Sequence, residues 1–307
     1  MDGKEEASES VRPLSRDSVL GTTLCQAMAK LETNNIITWQ SCEKIYKDYI
    51  SESNVSLREY IAKRFLTELH DVKAAHSIGM RHKEADSLIR KIVIKKKENT
   101  NKYKDISQDN YDIYVRDLIG VRILIRFKHE WRYVHEQLHR LFHNASIRKI
   151  KSSMDEDETL ENMTFMLQDD HDYCYFAEKP IAYICDEDER AMYVTGGMPI
   201  GQVKESKQKY RSVHYIIRYH GFFIEVQVRT IFEEGWSECD HNLCYKEPDI
   251  TLKDLQQKTS SVLSGLAHQA DELSGIMYKL KSEYDIKKKQ FSSSTKTITS
   301  KEGENHE

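Results

Sequence analysis

Tyr210 to Lys246, YRSVHYIIRYHGFFIEVQVRTIFEEGWSECDHNLCYK, is the stretch that most narrows what this chain can become. Apolar residues alternate at Val213, Tyr215 and Ile217, and Ile224, Val226 and Val228 alternate against Phe223, Glu225 and Gln227. That is the period of half-buried strands, and His220-Gly221 between them supplies a hairpin turn. The alternation sets Glu225, Gln227 and Arg229 on one face. Thr230 with Glu233 three residues later has the spacing of a capping box, so a helix begins there and runs through Trp236 toward His241 and Tyr245. An aromatic, two cations and a carboxylate thus stand on neighbouring strands ahead of a capped helix, which is the outline of a site that handles phosphate.

Upstream, Asp117-Leu118-Ile119-Gly120-Val121-Arg122 leads into Ile123, Leu124 and Ile125, an acid entering a buried strand. Trp131, Val134, Leu138, Leu141 and Phe142 mark a helix packed on that strand. Residues 84–97 read as another helix, and the spacing of Lys83, Ser87 and Lys91 predicts one helix face turned to a single anion. Lys95, Lys96 and Lys97 continue as a solvated charge run with no site role. From about residue 22 to 76 apolar residues recur at helical spacing, a helical N-terminal layer that ends before Gly79.

With 307 residues and 39% hydrophobic content the chain can bury a sizeable core. A net charge of -4 names no nucleic-acid partner. No apolar run approaches the roughly 18 residues needed to cross a bilayer. The acidic N-terminus lacks a signal peptide's basic start and apolar centre, so a cytoplasmic protein with reduced cysteines is expected. The six cysteines include no Cys-x-x-Cys pair. Expected boundaries are an unstructured 1–18, a globular domain over 19–250 with an insertion at about 144–208, a helical segment over 251–288 and an unstructured 289–307. Leu255, Val262, Leu266, Leu273, Met277, Leu280 and Tyr284 form a stripe on that segment that must be buried, on the chain's own sheet or on another subunit.

Taken in order, these blocks resemble the RelA/SpoT-type synthetase family. Its pattern is Arg-x-Lys-x-x-x-Ser-x-x-x-Lys, Asp-x-x-Gly-x-Arg, Gly-Tyr-Arg-Ser-x-His, Glu-x-Gln-x-Arg-Thr and Trp-x-x-x-Glu-His. Here it reads Arg81, Lys83, Ser87 and Lys91, then Asp117, Gly120 and Arg122, then Tyr210-Arg211-Ser212-x-His214, Glu225-x-Gln227-x-Arg229-Thr230 and Trp236-x-x-x-Asp240-His241. The resemblance implies an α+β fold, nucleotidyltransferase-like, with a mixed sheet of about five strands flanked by helices and a long C-terminal helix. It implies an ATP-dependent pyrophosphokinase that moves the β,γ-pyrophosphate of ATP to the 3′-hydroxyl of GDP or GTP, making (p)ppGpp.

By the same resemblance Asp117 and Glu225 are the catalytic pair and the Mg2+ ligands, and Glu225 helps to deprotonate the acceptor hydroxyl. Lys83, Ser87 and Lys91 meet the ATP phosphates, and Arg81 and Arg122 sandwich its adenine. Tyr210 stacks on the acceptor's guanine with Arg211 and His214 near its phosphates, while Gln227 and Arg229 line the same cleft. Small synthetases of the family are commonly oligomers, which points to a homo-oligomer through the C-terminal helix. Two departures stand out: Gln208-Lys209 replaces the usual Asn-Gly before Tyr210, and Asp240 replaces Glu. The acceptor therefore stays open among a guanine nucleotide, an adenosine nucleotide and the 3′-end of transfer RNA, for which Lys204, Lys207, Lys209 and Arg211 offer basic contacts. A catalytically silent nucleotide-binding regulator is a further alternative. Alarmone hydrolysis is not expected, because residues 1–75 carry only His70-Asp71 where a metal-binding cluster is needed.

Overall fold

A computed structural model describes residues 14–142, 174–206, 210–241 and 253–302. Side-chain hydroxyls start the first helices: Ser15 accepts the Ser18 N–H ahead of α1 (Arg16–Thr33), and Thr38 accepts the Ser41 N–H ahead of α2 (Trp39–Tyr49). With α3 (Glu52–Glu68) these form the expected helical layer. Then come β1 (Ser77–His82), α4 (Ala85–Glu98), the short α5 (Thr100–Tyr103) and α6 (Tyr111–Tyr114), β2 (Ile119–Ile125) and α7 (Trp131–Phe142). The remaining elements are β3 (Cys174–Phe176), β4 (Ile181–Ile184), α8 (Arg190–Thr195), β5 (Val203–Glu205), β6 (Ser212–Tyr219), β7 (Phe222–Thr230), α9 (Ile231–Asp240) and α10 (Lys253–Glu302).

The mixed sheet has seven strands in the order β1-β2-β7-β6-β4-β5, with β3 added to the far end of β6. It is larger than the expected five or so because β1, SIGMRH, is short and carries a glycine that reads as a breaker, and because β5 has only three residues. Arg81 consequently lies on a strand. Between β6 and β7, His220 and Gly221 have φ of 45° and 83°, the paired left-handed conformations of a type I′ turn. Within the segment expected as an insertion, residues 174–176 and 181–184 form strands; 143–173 lie outside the described residues, as do Lys207, Gln208 and Lys209.

The sheet's two faces differ in chemistry. Val121, Ile123, Val213, Tyr215, Ile217, Val226 and Val228 are buried against Phe65 and Leu69 of α3 and Trp131, Val134 and Leu138 of α7. The stacked Phe65 and Phe142 rings, 5.2 Å apart, close that core. On the other face Arg81 pairs in register with Gly120, Gly120 with Glu225, Arg122 with Gln227, and Gln227 with His214. A second apolar core, with Met28, Ile45, Ile89, Ile92 and Val93 at its centre, holds α1, α2 and α4 together. The cleft lies between α4 and the polar face of the sheet.

Helix α10 docks on the rest of the chain by the face opposite to its apolar stripe, so the stripe is not buried on the chain's own sheet. Ser264, Ala267 and Asp271 are buried, while the stripe from Leu255 to Tyr284 is 56% to 70% exposed at the seven positions named above. The reason is polar: the Trp236 indole donates to the Ser260 carbonyl (3.0 Å), Thr230 Oγ1 to Asp271 Oδ2 (2.9 Å), and Lys128 Nζ to Glu272 (2.9 Å) and Glu189 (2.6 Å). The helix also runs on to Glu302, through part of the tail expected to be unstructured, and α1 begins at Arg16, inside the expected N-terminal tail; residues 1–13 and 303–307 lie outside the described residues.

Burial pushes the Asp271 carboxyl up to about 6, against the Thr230 hydrogen bond and the charges of Lys128 and Arg211. Between the ordinary 3.8 and about 6 the folded chain holds a proton that the unfolded chain has lost, so this group's contribution to stability falls as pH rises through that window. Asp271→Asn, neutral throughout, is expected to flatten that part of a melting-temperature profile and to raise the melting temperature above pH 6. A variant that melted lower there, with the slope unchanged, would show the buried carboxylate to be fully compensated.

Candidate active site

Asp117 sits just before β2, and two ammonium groups converge on its Oδ2: Lys83 Nζ and Lys91 Nζ, both at 2.7 Å. Lys83 is not helical, as its spacing with Ser87 and Lys91 predicts; it lies between β1 and α4, where its backbone N–H donates to the Leu118 carbonyl (3.0 Å). The two lysines do share one anion, which within the chain is Asp117. Ser87 is half-buried, one turn ahead of Lys91 on α4. Burial works to raise the Asp117 pKa, but Lys91 and Lys83 together overcome it and hold the carboxyl below its ordinary value. Asp117 Oδ1 is buried with no protein partner.

Glu225 belongs to a closed circuit of side chains on the polar face. Gln227 Nε2 donates to Glu225 Oε2 (2.7 Å), and Arg229 donates to Gln227 Oε1. Arg229 Nη2 also donates to the Tyr210 hydroxyl (3.0 Å), which bonds His214 Nε2, and His214 Nδ1 faces Glu225 Oε1 at 3.5 Å. The Glu225 carboxylate can only accept, so the imidazole proton that faces it sits on His214 Nδ1. Burial opposes ionisation of Glu225, and the His214 hydrogen bond and charge outweigh it, so its pKa is lowered although Asp117 pushes the other way.

One cavity of about 240 Å³ brings Asp117, Glu225 and Lys91 together, and Lys95, Lys102 and Tyr103 line it as well. Lys95 therefore departs from the expected idle charge run, and Lys96 is buried with its ammonium on the Lys104 carbonyl (2.7 Å). Arg81 and Arg122 share the sheet face, the Arg81 side chain lying across Gly120, where an added Cβ would come within 3.3 Å of Arg81 Cγ. Arg122 is held by Glu234 (2.7 Å) and Glu238 of α9.

Arg211 does not join the cleft. Its backbone N–H and Nε donate to Glu233 (3.1 and 2.9 Å), a buried ion pair beneath α10. Thr230 accepts the Glu233 N–H as the helix cap requires (3.1 Å), but the Glu233 carboxylate is turned to Arg211 and the reciprocal half of the capping box does not form. Arg229 does not line the cavity of Asp117 and Glu225; it is buried between Tyr210, Glu234 and Ser237. Tyr183 of β4 is a residue the motifs do not reveal: its ring meets His214 edge-on at 5.0 Å and lies 6.2 Å from Tyr210. The strand pattern at 181–184 was visible, but its partner β6 was not.

Residues 80–250 match the protein family described as "Region found in RelA / SpoT proteins". Among solved structures, small alarmone synthetase 1 from Bacillus subtilis bound to its product pppGpp is 17% identical, with 80% of this chain and 98% of that one covered and a TM-score of 0.40. A GTP pyrophosphokinase family protein from Streptococcus pneumoniae is 19% identical, with 80% and 95% covered and a TM-score of 0.41. The Bacillus subtilis small alarmone synthetase 1 bound to AMPCPP is 16% identical, with 76% and 94% covered and a TM-score of 0.35. No curated protein sequence matches the chain.

Removing both cations should leave Asp117 buried and uncompensated. Lys83→Met with Lys91→Met is expected to lower unfolding free energy by about 3 kcal/mol, the low end for a buried pair because Lys91 is partly exposed. Adding Asp117→Asn should restore most of it in urea denaturation. If the triple variant were no more stable than the double, the charge triad would not be what holds β2 to α4.

Proposed function

The chain belongs to the RelA/SpoT family, whose region spans 80–250 of its 307 residues, and is of the (p)ppGpp-synthetase pyrophosphokinase type; on that premise we propose that it transfers the β,γ-pyrophosphate of ATP to the 3′-hydroxyl of GDP or GTP. The observation that carries this reading is Glu225, ionised and gripped on both oxygens by His214 and Gln227, in one cavity with Asp117. Asp117 and Glu225 fit a Mg2+ ion: both are hard carboxylate donors, and Asp117 Oδ1 is a buried oxygen that no protein group satisfies. Magnesium, when bound, supplies charge neutralisation on the transferring phosphates, its remaining positions taken by water and phosphate oxygens.

The chain's own groups divide the remaining work. Lys83 and Lys91 stand where charge spreads over the pyrophosphoryl group, and with Ser87 meet the ATP phosphates. Arg81 and Arg122 offer guanidinium planes to the adenine. Tyr183 and Tyr210 offer ring surface to the acceptor base. Glu225 takes the proton of the 3′-hydroxyl as its oxygen bonds to the β-phosphorus, the bond between the α-phosphate's bridging oxygen and the β-phosphorus breaks, and AMP leaves. The circuit through Arg229 keeps Glu225 in one orientation, so those side chains act by positioning rather than by touching phosphate. No helix among the described residues is long and apolar enough to cross a membrane.

The exposed stripe of α10 is read as the interface for a second copy of this chain, since seven large apolar side chains in one row are more than a surface helix carries idly. Leu266→Lys with Leu273→Lys is expected to reduce the sedimentation mass to that of one chain, and a wild-type protein that sediments as a monomer would refute the interface.

Transfer itself is tested with γ-labelled ATP and magnesium offered separately to GDP, GTP, AMP and deacylated transfer RNA. Label is expected on the guanine nucleotides, and Glu225→Gln and Asp117→Asn should each reduce it by about 100-fold or more. Label on RNA or AMP alone would overturn the acceptor, and no transfer at all would favour a silent nucleotide-binding regulator.

A further inference from the structure

Lys95, Lys102 and Tyr103 line the cavity and have no part in the chemistry just described. Lys95 Nζ stands 4.6 Å from the centre of the Tyr103 ring and 3.4 Å from its hydroxyl, and Lys102 Nζ stands 5.5 Å from the same ring. Tyr114 meets Tyr103 edge-on with centroids 6.1 Å apart, which fixes the ring that both ammoniums rest on. Two like charges on one ring repel, and among the described residues neither lysine has a carboxylate partner, whereas Lys83 and Lys91 converge on Asp117 and Arg116 pairs with Glu178. A solvated charge run would let its lysines diverge. Here Lys96 turns inward and Lys95 faces the cavity, so the run is divided by the fold.

We propose that Lys95 and Lys102, set on Tyr103, form a subsite for the 5′-polyphosphate of the acceptor nucleotide. The inference rests on the transfer reading above and adds the acceptor's charge to it. An acceptor that presents its 3′-hydroxyl to Glu225 carries its charge on the far side of the ribose, away from the bond being made. Asp117 and Lys91, which with Lys83 answer to the donor phosphates, line this cavity together with Glu225, and so do the two cations that have no carboxylate partner among the described residues. Charge-assisted contacts from two ammoniums favour a di- or triphosphate over a monophosphate, and the aromatic ring between them is a rigid support that gives up little freedom on binding.

Two measurements on the full chain separate this subsite from the reading beneath it. In equilibrium binding with a non-hydrolysable ATP analogue and magnesium present, the wild type is expected to hold GTP and GDP more tightly than GMP. Lys95→Gln with Lys102→Gln should weaken GTP and GDP roughly tenfold or more, leave GMP and the ATP analogue unchanged, and so erase the preference. In steady-state transfer the same variant should raise KM for GTP and GDP without lowering kcat. Equal loss for GMP and GTP, or weaker binding of the ATP analogue, would overturn the subsite. A wild type that binds the three acceptors in the expected order yet transfers nothing would sink the transfer reading and support the subsite.

Discussion

Everything in the cleft depends on the register in which β2 runs parallel to β7. Gly120 opposite Glu225 and Arg122 opposite Gln227 put the acid of one strand beside the approach to the other, where Asp117 arrives. A slip of one residue would exchange Val226 and Val228 for Glu225 and Gln227 on the buried face, which neither the apolar core nor the charges could accept. The register is therefore held by both faces at once. Gly120 adds a local condition, because the Arg81 side chain crosses it and a larger residue there would press on the guanidinium stem.

Buried charge is handled in three groups, only one of them a simple pair. Asp117 is balanced by two lysines, Glu225 by the His214 hydrogen bond and Gln227, and Glu233 by Arg211. Desolvation raises the cost of each carboxylate, and only the first two are held below their ordinary pKa; Glu233 is raised, burial outweighing Arg211. The division follows position: the two acids held below their ordinary values line the cavity, and the third lies beneath α10, where Thr230 caps α9 and reaches Asp271. Helix α9 joins the second and third, since it carries Glu233 and its Glu234 receives Arg229.

Much of this was legible in the chain. The hairpin, the Thr230 cap, the apolar strand after Asp117 and the α7 stripe all follow from short-range rules, and each is present, except that Leu141 of the stripe is exposed. What failed did so where a residue's partner is distant in sequence. Arg211 adjoins Tyr210 and His214 along the chain, yet the alternation of the strand points it to Glu233 and away from them. Of the two coverings expected for the α10 stripe, the chain's own sheet and another subunit, the first does not form, because Trp236, Thr230 and Lys128 hold the helix by its polar face. Lys95 looked like one of three solvated lysines until Tyr103, eight residues on, gave it a support.

The sequence by itself determined the elements, the family pattern and the two carboxylates, because period, capping and motif spacing act within a few residues of the chain. Tertiary structure alone decided which cations meet which acids, that Tyr183 joins Tyr210 and His214, and which face of α10 stays open. Those outcomes turn on desolvation and on the facing directions of side chains from segments up to about a hundred residues apart, such as Arg122 and Glu234, and no local pattern encodes them.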